Sequence, residues 1–419
     1  MNLKISANKI QGKVDILSSK SELHRILIIS ALSNEQTTID YVGVLSKDVL
    51  ATISCLTALG AKIQVSDSQI LVSPINKVSK NAKLNCNESG STLRFMLPVV
   101  AFLGASSEFF VQGRLSSRPI TPIYNLLKCA SVNLSQEGVY PLKSCGKVNT
   151  NKFTISGEVS SQFISGLLMA IGCSGLGGKV VVKGDFQSKP YVDITTQIMQ
   201  KFGVGVDFKD NTYIVENKFY ISPKSIKAGG DWSNSAFFAC LGALSGQVSI
   251  NGLDLDSAQG DKQIVQILNQ FGAITSFENG LLTVKKNTLN GIKISVKDIP
   301  DLVPAIAIVG CFANGETIIC DGNRLRLKES DRIKSVVDMI NSIGGQAQER
   351  ADGIKIVGKS HVKGGEVNSY NDHRIVMASA IASVLCDNGV QIIDAQAVEK
   401  SYVDFFEQIK LLGVNAVEV

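Results

Sequence analysis

The sequence predicts an α/β protein of two similar domains, each made of three β-α-β-α-β-β units around buried helices. Three observations support this fold class. Helix ends recur about every 70 residues, apolar helices with polar starts recur at the same interval, and short β-rich stretches lie between them. A chain of 419 residues exceeds one ordinary core, so six copies of the unit fit two domains of three.

The first series consists of helix ends that are followed by a small residue. Such residues typically close a helix, because glycine accepts the left-handed conformation of that position. The intervals are 69 to 73 residues, at Gly60, Ala130, Gly203, Gly272, Gly344 and Gly413.

The second series consists of polar residues that precede strongly apolar helices. Their side-chain oxygens can accept the unpaired N–H groups of a helix start, so we expect N-caps here. Apolar residues run almost all round these helices, which predicts that they are buried. The expected starts are Ser21, Ser89, Ser160, Ser233, Asp301 and Asp372.

The second helix of each unit often carries a cation at its start. Arg118, Arg332 and Lys400 lie there, where the helix dipole makes a positive charge unfavourable. A strongly anionic ligand would offset that cost. The alternative is that polar starts only cap helices and the repeat is architecture alone.

Composition excludes several classes of function. The net charge of +5 is modest and basic patches with interleaved aromatics are absent, so we expect no nucleic-acid partner. Nine cysteines without a C-x-x-C pair predict free thiols in a reducing compartment, and no zinc signature appears. The start lacks an apolar signal core and no apolar run could span a bilayer. We therefore expect a cytoplasmic protein without metal or membrane contact.

Several short motifs occur in a fixed order along the whole chain. They are SKSELHR at 19–25, ESGSTLR at 88–94, RPI at 118–120, SSQF at 160–163, SKPYVDIT at 188–195, PD at 300–301, LKESDR at 327–332 and NDHR at 371–374. In these motifs the sequence resembles the EPSP synthase (3-phosphoshikimate 1-carboxyvinyltransferase) family of enolpyruvyl transferases.

This resemblance implies two domains of the inside-out α/β barrel type. One domain should comprise residues 20–227, and the other should combine 1–19 with 228–419. Helix N-termini would converge on an active site in the cleft between them. The implied reaction transfers the enolpyruvyl group of phosphoenolpyruvate to the 5-hydroxyl of 3-phosphoshikimate and releases phosphate, on the shikimate pathway to chorismate and aromatic amino acids. It needs no cofactor, and we expect a monomer.

The same resemblance assigns substrate contacts by motif position. For 3-phosphoshikimate it implies Lys20, Ser21, Arg25, Ser160, Ser161, Gln162, Ser188, Tyr191, Asp301 and Lys328. For phosphoenolpyruvate it implies Lys20, Gly90, Arg118, Gln162, Arg332, Arg374 and Lys400. Both substrates carry a phosphate and a carboxylate, so paired cations and helix starts would offset their mutual repulsion.

The chemistry needs a base for the 5-hydroxyl and an acid for C3 of phosphoenolpyruvate, on either side of a tetrahedral intermediate. Asp301 is the candidate for the hydroxyl, and Glu329 for C3. Which of Asp301, Glu329 and Lys20 handles each proton stays open. Taken alone, Lys328 and Glu329 could equally be an exposed salt-bridged stretch, and Asp301 an N-cap.

Some positions depart from the family pattern or have no assigned role. Glu88, Phe95 and Arg324 stand where relatives often have Asn, Pro and Asn, which leaves open the shikimate contact near Arg324 and the sensitivity to glyphosate. Arg94 and Arg326 could orient the site or only support it.

Two other functions fit part of this pattern. The sister transferase acting on UDP-N-acetylglucosamine usually has a reactive cysteine at the place of Gly113, where this chain has none. A non-catalytic anion-binding protein on the same scaffold would lack the acid–base residues, yet Asp301, Glu329 and Lys20 are all present.

Overall fold

The computed structural model describes residues 1–7 and 9–419. The chain divides into two compact units. Unit 1 comprises Met1–Leu17, Gly230–Asp256 and Gly260–Val419, and unit 2 comprises Ser18–Gly229 with Ser257–Gln259.

The α-helices alternate along the described chain between helices that are apolar on most faces and helices that are more amphipathic. They are α1 (Lys20–Ala31), α2 (Lys47–Leu59), α3 (Gly90–Leu103), α4 (Thr121–Cys129), α5 (Ser161–Cys173), α6 (Lys189–Lys201), α7 (Trp232–Ser245), α8 (Ile264–Phe271), α9 (Val303–Phe312), α10 (Arg332–Ser342), α11 (His373–Ala382) and α12 (Phe405–Leu411).

The strands are short, as the β-rich stretches predict. They are β1 (Leu3–Ala7), β2 (Ile10–Asp15), β3 (Thr37–Asp40), β4 (Lys62–Val65), β5 (Gln69–Ser73), β6 (Ala82–Asn85), β7 (Ser107–Phe110), β8 (Asn133–Leu134), β9 (Leu142–Cys145), β10 (Lys152–Ser156), β11 (Gly178–Lys183), β12 (Val206–Lys209), β13 (Thr212–Val215), β14 (Ser225–Lys227), β15 (Gly246–Asn251), β16 (Ile274–Glu278), β17 (Leu281–Lys285), β18 (Lys293–Ser295), β19 (Glu316–Cys320), β20 (Gln346–Arg350), β21 (Gly353–Val357), β22 (Gly365–Asn368), β23 (Val390–Ile393) and β24 (Val414–Glu418).

The described residues form six four-stranded sheets, three in each unit. In one of them β10 pairs in parallel with β11, with Lys152 opposite Lys179. Strand β13 then lies antiparallel between β11 and β12. With α5 and α6 as the crossovers, this is the predicted β-α-β-α-β-β unit, and the predicted fold class is confirmed.

Three of the six sheets are completed by strands that are distant in sequence. In unit 2, β14 pairs in parallel with β3, with Ile226 opposite Ile39. In unit 1, β1 lies between β23 and β24, and β2 pairs with β15. The repeat is therefore regular in space although the chain interrupts it.

The apolar helices form the core of each unit. In unit 1, α7, α9 and α11 pack against one another, and all ten residues of α9 are buried. In unit 2, α5 packs against α1 and α3. The prediction that these helices are buried is confirmed, because apolar side chains on every face leave no face for solvent.

The predicted N-caps are correct at Ser89, Ser160 and Asp372, whose side chains accept backbone N–H groups of their helices. They are wrong at Ser21 and Ser233, because Ser19 and Asp231 cap α1 and α7 two residues earlier. The predicted cap at Asp301 is also wrong.

Helix α9 starts after Leu302, which makes no side-chain cap bond. Asp301 lies just before it in a turn.

The sequence also predicted that no segment spans a bilayer and that the cysteines are free thiols. Among the described residues, no helix combines the length and apolar character needed to cross a membrane. All nine cysteines are free of disulfides, as predicted.

Candidate active site

The start of α1 carries a lysine that is already paired. Lys20 Nζ lies 3.0 Å from Asp48 Oδ2 at the start of α2, and both side chains are largely buried. Ser19 Oγ caps the same helix by accepting the N–H of Glu22. The ion pair places the Lys20 ammonium at the junction of two helix starts, where an anion would be favoured.

Arg25 lies one turn further along α1 and ties three helices of unit 2 together. Its Nε donates to Thr195 Oγ1 at 2.6 Å, and its Nη2 donates to the Tyr191 carbonyl at 2.8 Å, both on α6. Nη2 also approaches Ser165 Oγ of α5 at 3.4 Å, and Nη1 donates to the Ser21 carbonyl. Burial lowers the pKa of Arg25 to about 9, so the group stays cationic at neutral pH.

The predicted residues Ser21 and Tyr191 therefore flank Arg25 through their carbonyls. Ser161 lies four residues before Ser165, one turn nearer the start of α5. Ser160 caps that helix by accepting the Gln162 N–H. Ser188 precedes α6 with a φ of 55°, and it is buried like Ser160 and Ser161.

Gly90 is the first residue of α3 and makes room for Arg118. A Cβ on Gly90 would lie 2.8 Å from Arg118 Nη1, closer than carbon and nitrogen approach. The guanidinium of Arg118 therefore lies directly against the N-terminus of α3, although the helix dipole disfavours a cation there. An anion bound at this place would meet both groups.

Gln162 is held by two side chains of α3. Its Oε1 accepts from Arg94 Nη1 at 2.8 Å, and its Nε2 donates to Ser91 Oγ at 2.8 Å. Arg94 also lies over the ring of Phe163. Arg94 thus orients Gln162, which answers one question that the sequence left open.

In unit 1, the carboxylate of Asp301 accepts from three cations. Its Oδ1 lies 2.7 Å from Arg332 Nη1 and 3.2 Å from Lys328 Nζ, and its Oδ2 lies 3.1 Å from Arg374 Nη2. The alternative in which Asp301 only caps a helix is therefore wrong, since long-range cations occupy both its oxygens.

Arg332 is the centre of this cluster, with 1% of its side chain exposed. It also contacts Glu329 Oε2 at 2.7 Å and Asp372 Oδ2 at 2.9 Å. Asp372 accepts in addition from Ser330 Oγ at 3.0 Å. A cation in the first turn of α10 is thus compensated by carboxylates of the protein itself.

Two further cations lie at the start of α11. Arg374 is its second residue, and its backbone N–H is capped by Asp372. Lys400 ends a 3-10 helix at Ala395–Lys400, and its Nζ donates to the Asn371 carbonyl at 2.8 Å. The structure therefore brings Asp301, Lys328, Glu329, Arg332, Arg374 and Lys400 to one part of unit 1.

Protonation in this cluster follows from burial and charge. Burial alone would raise the pKa of Asp301, but Arg374, Lys328 and Arg332 hold that pKa well below its usual value. Burial lowers the pKa of Lys328 to about 8, although Asp301 opposes the shift. Asp301 and Lys328 are therefore both ionised at neutral pH, and Lys328 loses its proton as the pH rises through about 8.

The alternative of an exposed stretch at Lys328 and Glu329 is also wrong, because both side chains are mostly buried and bonded within the cluster. Arg326 is instead a supporting residue. Its Nη1 lies 3.0 Å from both Asp331 and Glu349, nearer the surface. Arg324 is buried in the 3-10 helix Asn323–Leu327, which also contains Arg326.

Sequence reasoning missed the acidic and hydroxyl partners of the predicted cations. Asp372 was predicted only as a helix start, and no role was predicted for Asp48, Thr195 or Ser165. One signal existed: Thr195 belongs to the SKPYVDIT motif, one turn after Tyr191. No group of three or more His, Cys, Asp or Glu in the described ranges is arranged to hold a metal ion.

Comparisons with known proteins agree with these motifs. The sequence profile of EPSP synthase (3-phosphoshikimate 1-carboxyvinyltransferase) matches residues 5–409. A 3-phosphoshikimate 1-carboxyvinyltransferase from Clostridium novyi is 35% identical over 424 residues, covering 98% of this chain and 97% of that protein. One from Clostridium beijerinckii is 37% identical over 432 residues, with the same coverage.

Solved structures show the same fold at low identity. An EPSP synthase from Acinetobacter baumannii superposes with a TM-score of 0.83 at 23% identity and covers 100% of both chains. The enolpyruvyl transferase NikO from Streptomyces tendae gives 0.78 at 14% identity, covering 100% of this chain and 98% of that one. From the profile match and the Clostridium relatives, the chain belongs to the EPSP synthase (3-phosphoshikimate 1-carboxyvinyltransferase) family.

Proposed function

We propose that this protein transfers the enolpyruvyl group of phosphoenolpyruvate to the 5-hydroxyl of 3-phosphoshikimate and releases phosphate. The observation that carries the proposal is the family match over residues 5–409. The cluster around Asp301 supports it, because it combines an ionised carboxylate with three cations. The reaction is a step of the shikimate pathway.

In this proposal, phosphoenolpyruvate binds to Arg118, Arg332, Arg374, Lys400, Lys20, Gln162 and the backbone at Gly90. Two features support the assignment. Arg118 lies against the start of α3, so one anion could contact guanidinium and backbone N–H groups together. Arg332 and Arg374 present guanidinium groups that match carboxylate and phosphate geometry.

The second substrate, 3-phosphoshikimate, binds to Lys20, Ser21, Arg25, Ser160, Ser161, Gln162, Ser188, Tyr191, Asp301 and Lys328. Ser160 and Ser161 at the start of α5 and Ser188 at the start of α6 are assigned to its phosphate. Arg25 already donates to Thr195 and two carbonyls. It would therefore exchange one of these acceptors for the shikimate carboxylate.

Proton transfer is assigned to Asp301, Glu329 and Lys20. Asp301 accepts the proton of the attacking 5-hydroxyl. Glu329 donates a proton to C3 of phosphoenolpyruvate on addition and removes a proton from C3 when phosphate leaves. Anions that draw Arg332, Arg374 and Lys328 away from Asp301 would raise its pKa and make it a better base when the substrates are bound. Lys20, which lies 3.0 Å from Asp48, is assigned both to proton transfer and to offsetting the charge of the two substrates.

The proposed function predicts phosphate release only when both substrates are present. The purified protein is incubated with 3-phosphoshikimate and phosphoenolpyruvate in EDTA, and phosphate and product mass are followed. We expect one carboxyvinyl product per phosphate, and no release with either substrate alone. Release with UDP-N-acetylglucosamine as the acceptor, and none with 3-phosphoshikimate, would assign the chain to the other acceptor.

Lys328 predicts a pH dependence of 3-phosphoshikimate binding. Its pKa of about 8 means that the ammonium is present below that pH and lost above it. An anion prefers the charged form, so KM for 3-phosphoshikimate should rise above about pH 8, approaching tenfold per pH unit. Steady-state kinetics between pH 6.5 and 10 measure this.

The matched control is Lys328→Arg, which stays cationic throughout that range. We expect its KM to lack the upward break near pH 8. A wild-type KM that stays flat, or a break that persists in the arginine variant, would contradict the role of Lys328.

We also propose that the protein acts in the cytoplasm as a monomer. Unpaired cysteines fit a reducing compartment. Light scattering after gel filtration measures the mass, and a value near 44.8 kDa is expected.

A further inference from the structure

A buried chain of hydrogen bonds joins the starts of three helices in unit 2. His24 Nδ1 lies 2.7 Å from Thr52 Oγ1, and Thr52 Oγ1 lies 2.7 Å from Thr92 Oγ1. Thr92 Oγ1 donates to Ser89 Oγ at 2.7 Å. All four side chains are buried, and the chain passes from α1 through α2 to α3. The family motifs assign a substrate contact to none of the four.

The direction of the protons in this chain follows from its last bond. A threonine hydroxyl has one proton, and that of Thr92 goes to Ser89 Oγ. Thr92 therefore accepts from Thr52, and Thr52 accepts from an Nδ1–H of His24. The Nε2 atom of His24 is buried without a hydrogen-bond partner among the described residues. His24 thus acts through Nδ1 alone.

The surroundings of His24 keep its ring neutral. Its ring meets the ring of Phe95 edge-on at 6.3 Å. Burial lowers the pKa of His24 well below its usual value, and the nearby charges of Lys20 and Arg25 act in the same direction. A neutral ring supplies one donor and keeps its tautomer across the physiological range of pH.

The chain ends at the groups that are proposed to bind phosphoenolpyruvate. Ser89 caps α3, and the next residue is Gly90, against which Arg118 lies. The chain does not reach α5 or α6, where the phosphate of 3-phosphoshikimate is assigned.

We propose that His24 is a positioning residue for phosphoenolpyruvate, which it serves through Thr52, Thr92 and Ser89 by fixing the start of α3 against α1 and α2. The inference rests on the proposed function. It goes beyond the proposed function because no substrate contact is assigned to His24. Because the hydrogen-bond chain ends at the start of α3, a break in it should weaken phosphoenolpyruvate binding and leave 3-phosphoshikimate binding unchanged.

The test compares variants that keep or remove the donor. His24→Leu removes it, whereas His24→Asn places an amide N–H close to the position of Nδ1–H. We expect His24→Leu to raise KM for phosphoenolpyruvate about fivefold, the loss of one net hydrogen bond, with KM for 3-phosphoshikimate unchanged. His24→Asn should restore most of the loss.

Thr52→Val breaks the same chain at its second member and guards against a His24→Leu variant that does not fold. We expect the same selective rise in KM for phosphoenolpyruvate. The double variant, His24→Leu with Thr52→Val, should show no further rise, because both substitutions interrupt the same hydrogen-bond chain. The matched control is Thr57→Val, on the same helix, whose exposed hydroxyl donates only to the Ile53 carbonyl. It should change neither KM.

Three results would overturn the inference. They are an unchanged KM for phosphoenolpyruvate in both His24→Leu and Thr52→Val, an equal rise in both KM values, or an asparagine variant as impaired as the leucine variant. If the wild-type protein releases no phosphate, the proposed function fails on its own. Calorimetric titration of the same variants with phosphoenolpyruvate then decides the inference separately, by the same comparison of affinities.

Discussion

Asp301→Asn is expected to lower kcat by about 10²–10⁴-fold, the usual contribution of a general base. The amide fits the same space but cannot take the proton of the attacking hydroxyl. It also no longer neutralises Arg332, Lys328 and Arg374, which contact this carboxylate at 2.7, 3.2 and 3.1 Å. KM for phosphoenolpyruvate should therefore stay equal or fall. Steady-state kinetics with each substrate varied in turn measure both effects.

Two comparisons make this result specific. Asp338→Asn is the control, because Asp338 on α10 bonds only the hydroxyl of Tyr370 at the surface, and both constants should stay unchanged. Glu329→Gln separates the two proton transfers. If exchange of solvent deuterium into the C3 position of phosphoenolpyruvate survives Asp301→Asn and is lost in Glu329→Gln, the two roles are divided as proposed. Unchanged kcat in Asp301→Asn would remove Asp301 from the mechanism.

Arg332→Met is expected to lower the free energy of unfolding by about 3–5 kcal/mol, the cost of leaving buried charges without their partner. Arg332 is 1% exposed and contacts Asp301, Glu329 and Asp372 at 2.7, 2.7 and 2.9 Å. Methionine has a similar length and no charge, so three carboxylates would face one another. Urea unfolding of both proteins at neutral pH measures the difference.

The matched control is Arg326→Met. Arg326 also contacts two carboxylates, Asp331 and Glu349, each at 3.0 Å, but 35% of its side chain is exposed. Solvent screening leaves such pairs worth up to about 1 kcal/mol. Equal losses in the two variants would show that burial does not set the strength of the Arg332 cluster.

Acid should reduce the difference between Arg332→Met and the wild type. Burial would raise the pKa of Asp372, but Arg332 and His373 hold it below its usual value. That contribution to stability is present above about pH 4 and is lost as the pH falls through the lowered pKa. In the variant the carboxylates hold protons more readily. Unfolding measured from pH 7 down to about pH 2 should therefore show the two stabilities converging at the acid end, and parallel curves would contradict this account.

The repeat could be predicted from the sequence because the residues that start and end its helices form local patterns. Ser89, Ser160 and Asp372 cap the helices expected of them, since N-capping depends on neighbours within three residues. The N-cap predicted at Ser21 was wrong, because Ser19 caps α1 instead. Two serines near one helix start give the same local pattern, and only the backbone conformation distinguishes them.

The candidate residues of each unit were predictable as residue types but not as networks. Asp301 contacts cations that are 27, 31 and 73 residues away in sequence. Arg25 contacts Thr195 across 170 residues. Such contacts depend on how helices of different repeats pack, and no periodicity in one repeat encodes them. The motifs therefore predicted which residues contribute to the two clusters, whereas the packing of the helices determines which carboxylate neutralises which cation.

The placement of β1 between β23 and β24 has a consequence for how the chain folds during synthesis. Leu3 of β1 pairs with Ile392 of β23 and with Glu418 of β24, so it has no strand partner until those residues have been synthesised. At about 5–20 residues per second, translation of the intervening chain takes roughly 20–80 s. The nascent N-terminus must stay unpaired for that time, whereas the contiguous segment Ser18–Gly229 already contains all three sheets of unit 2. Ribosome-bound chains should therefore gain protease resistance first within Ser18–Gly229, and β1 should be among the last segments to be protected.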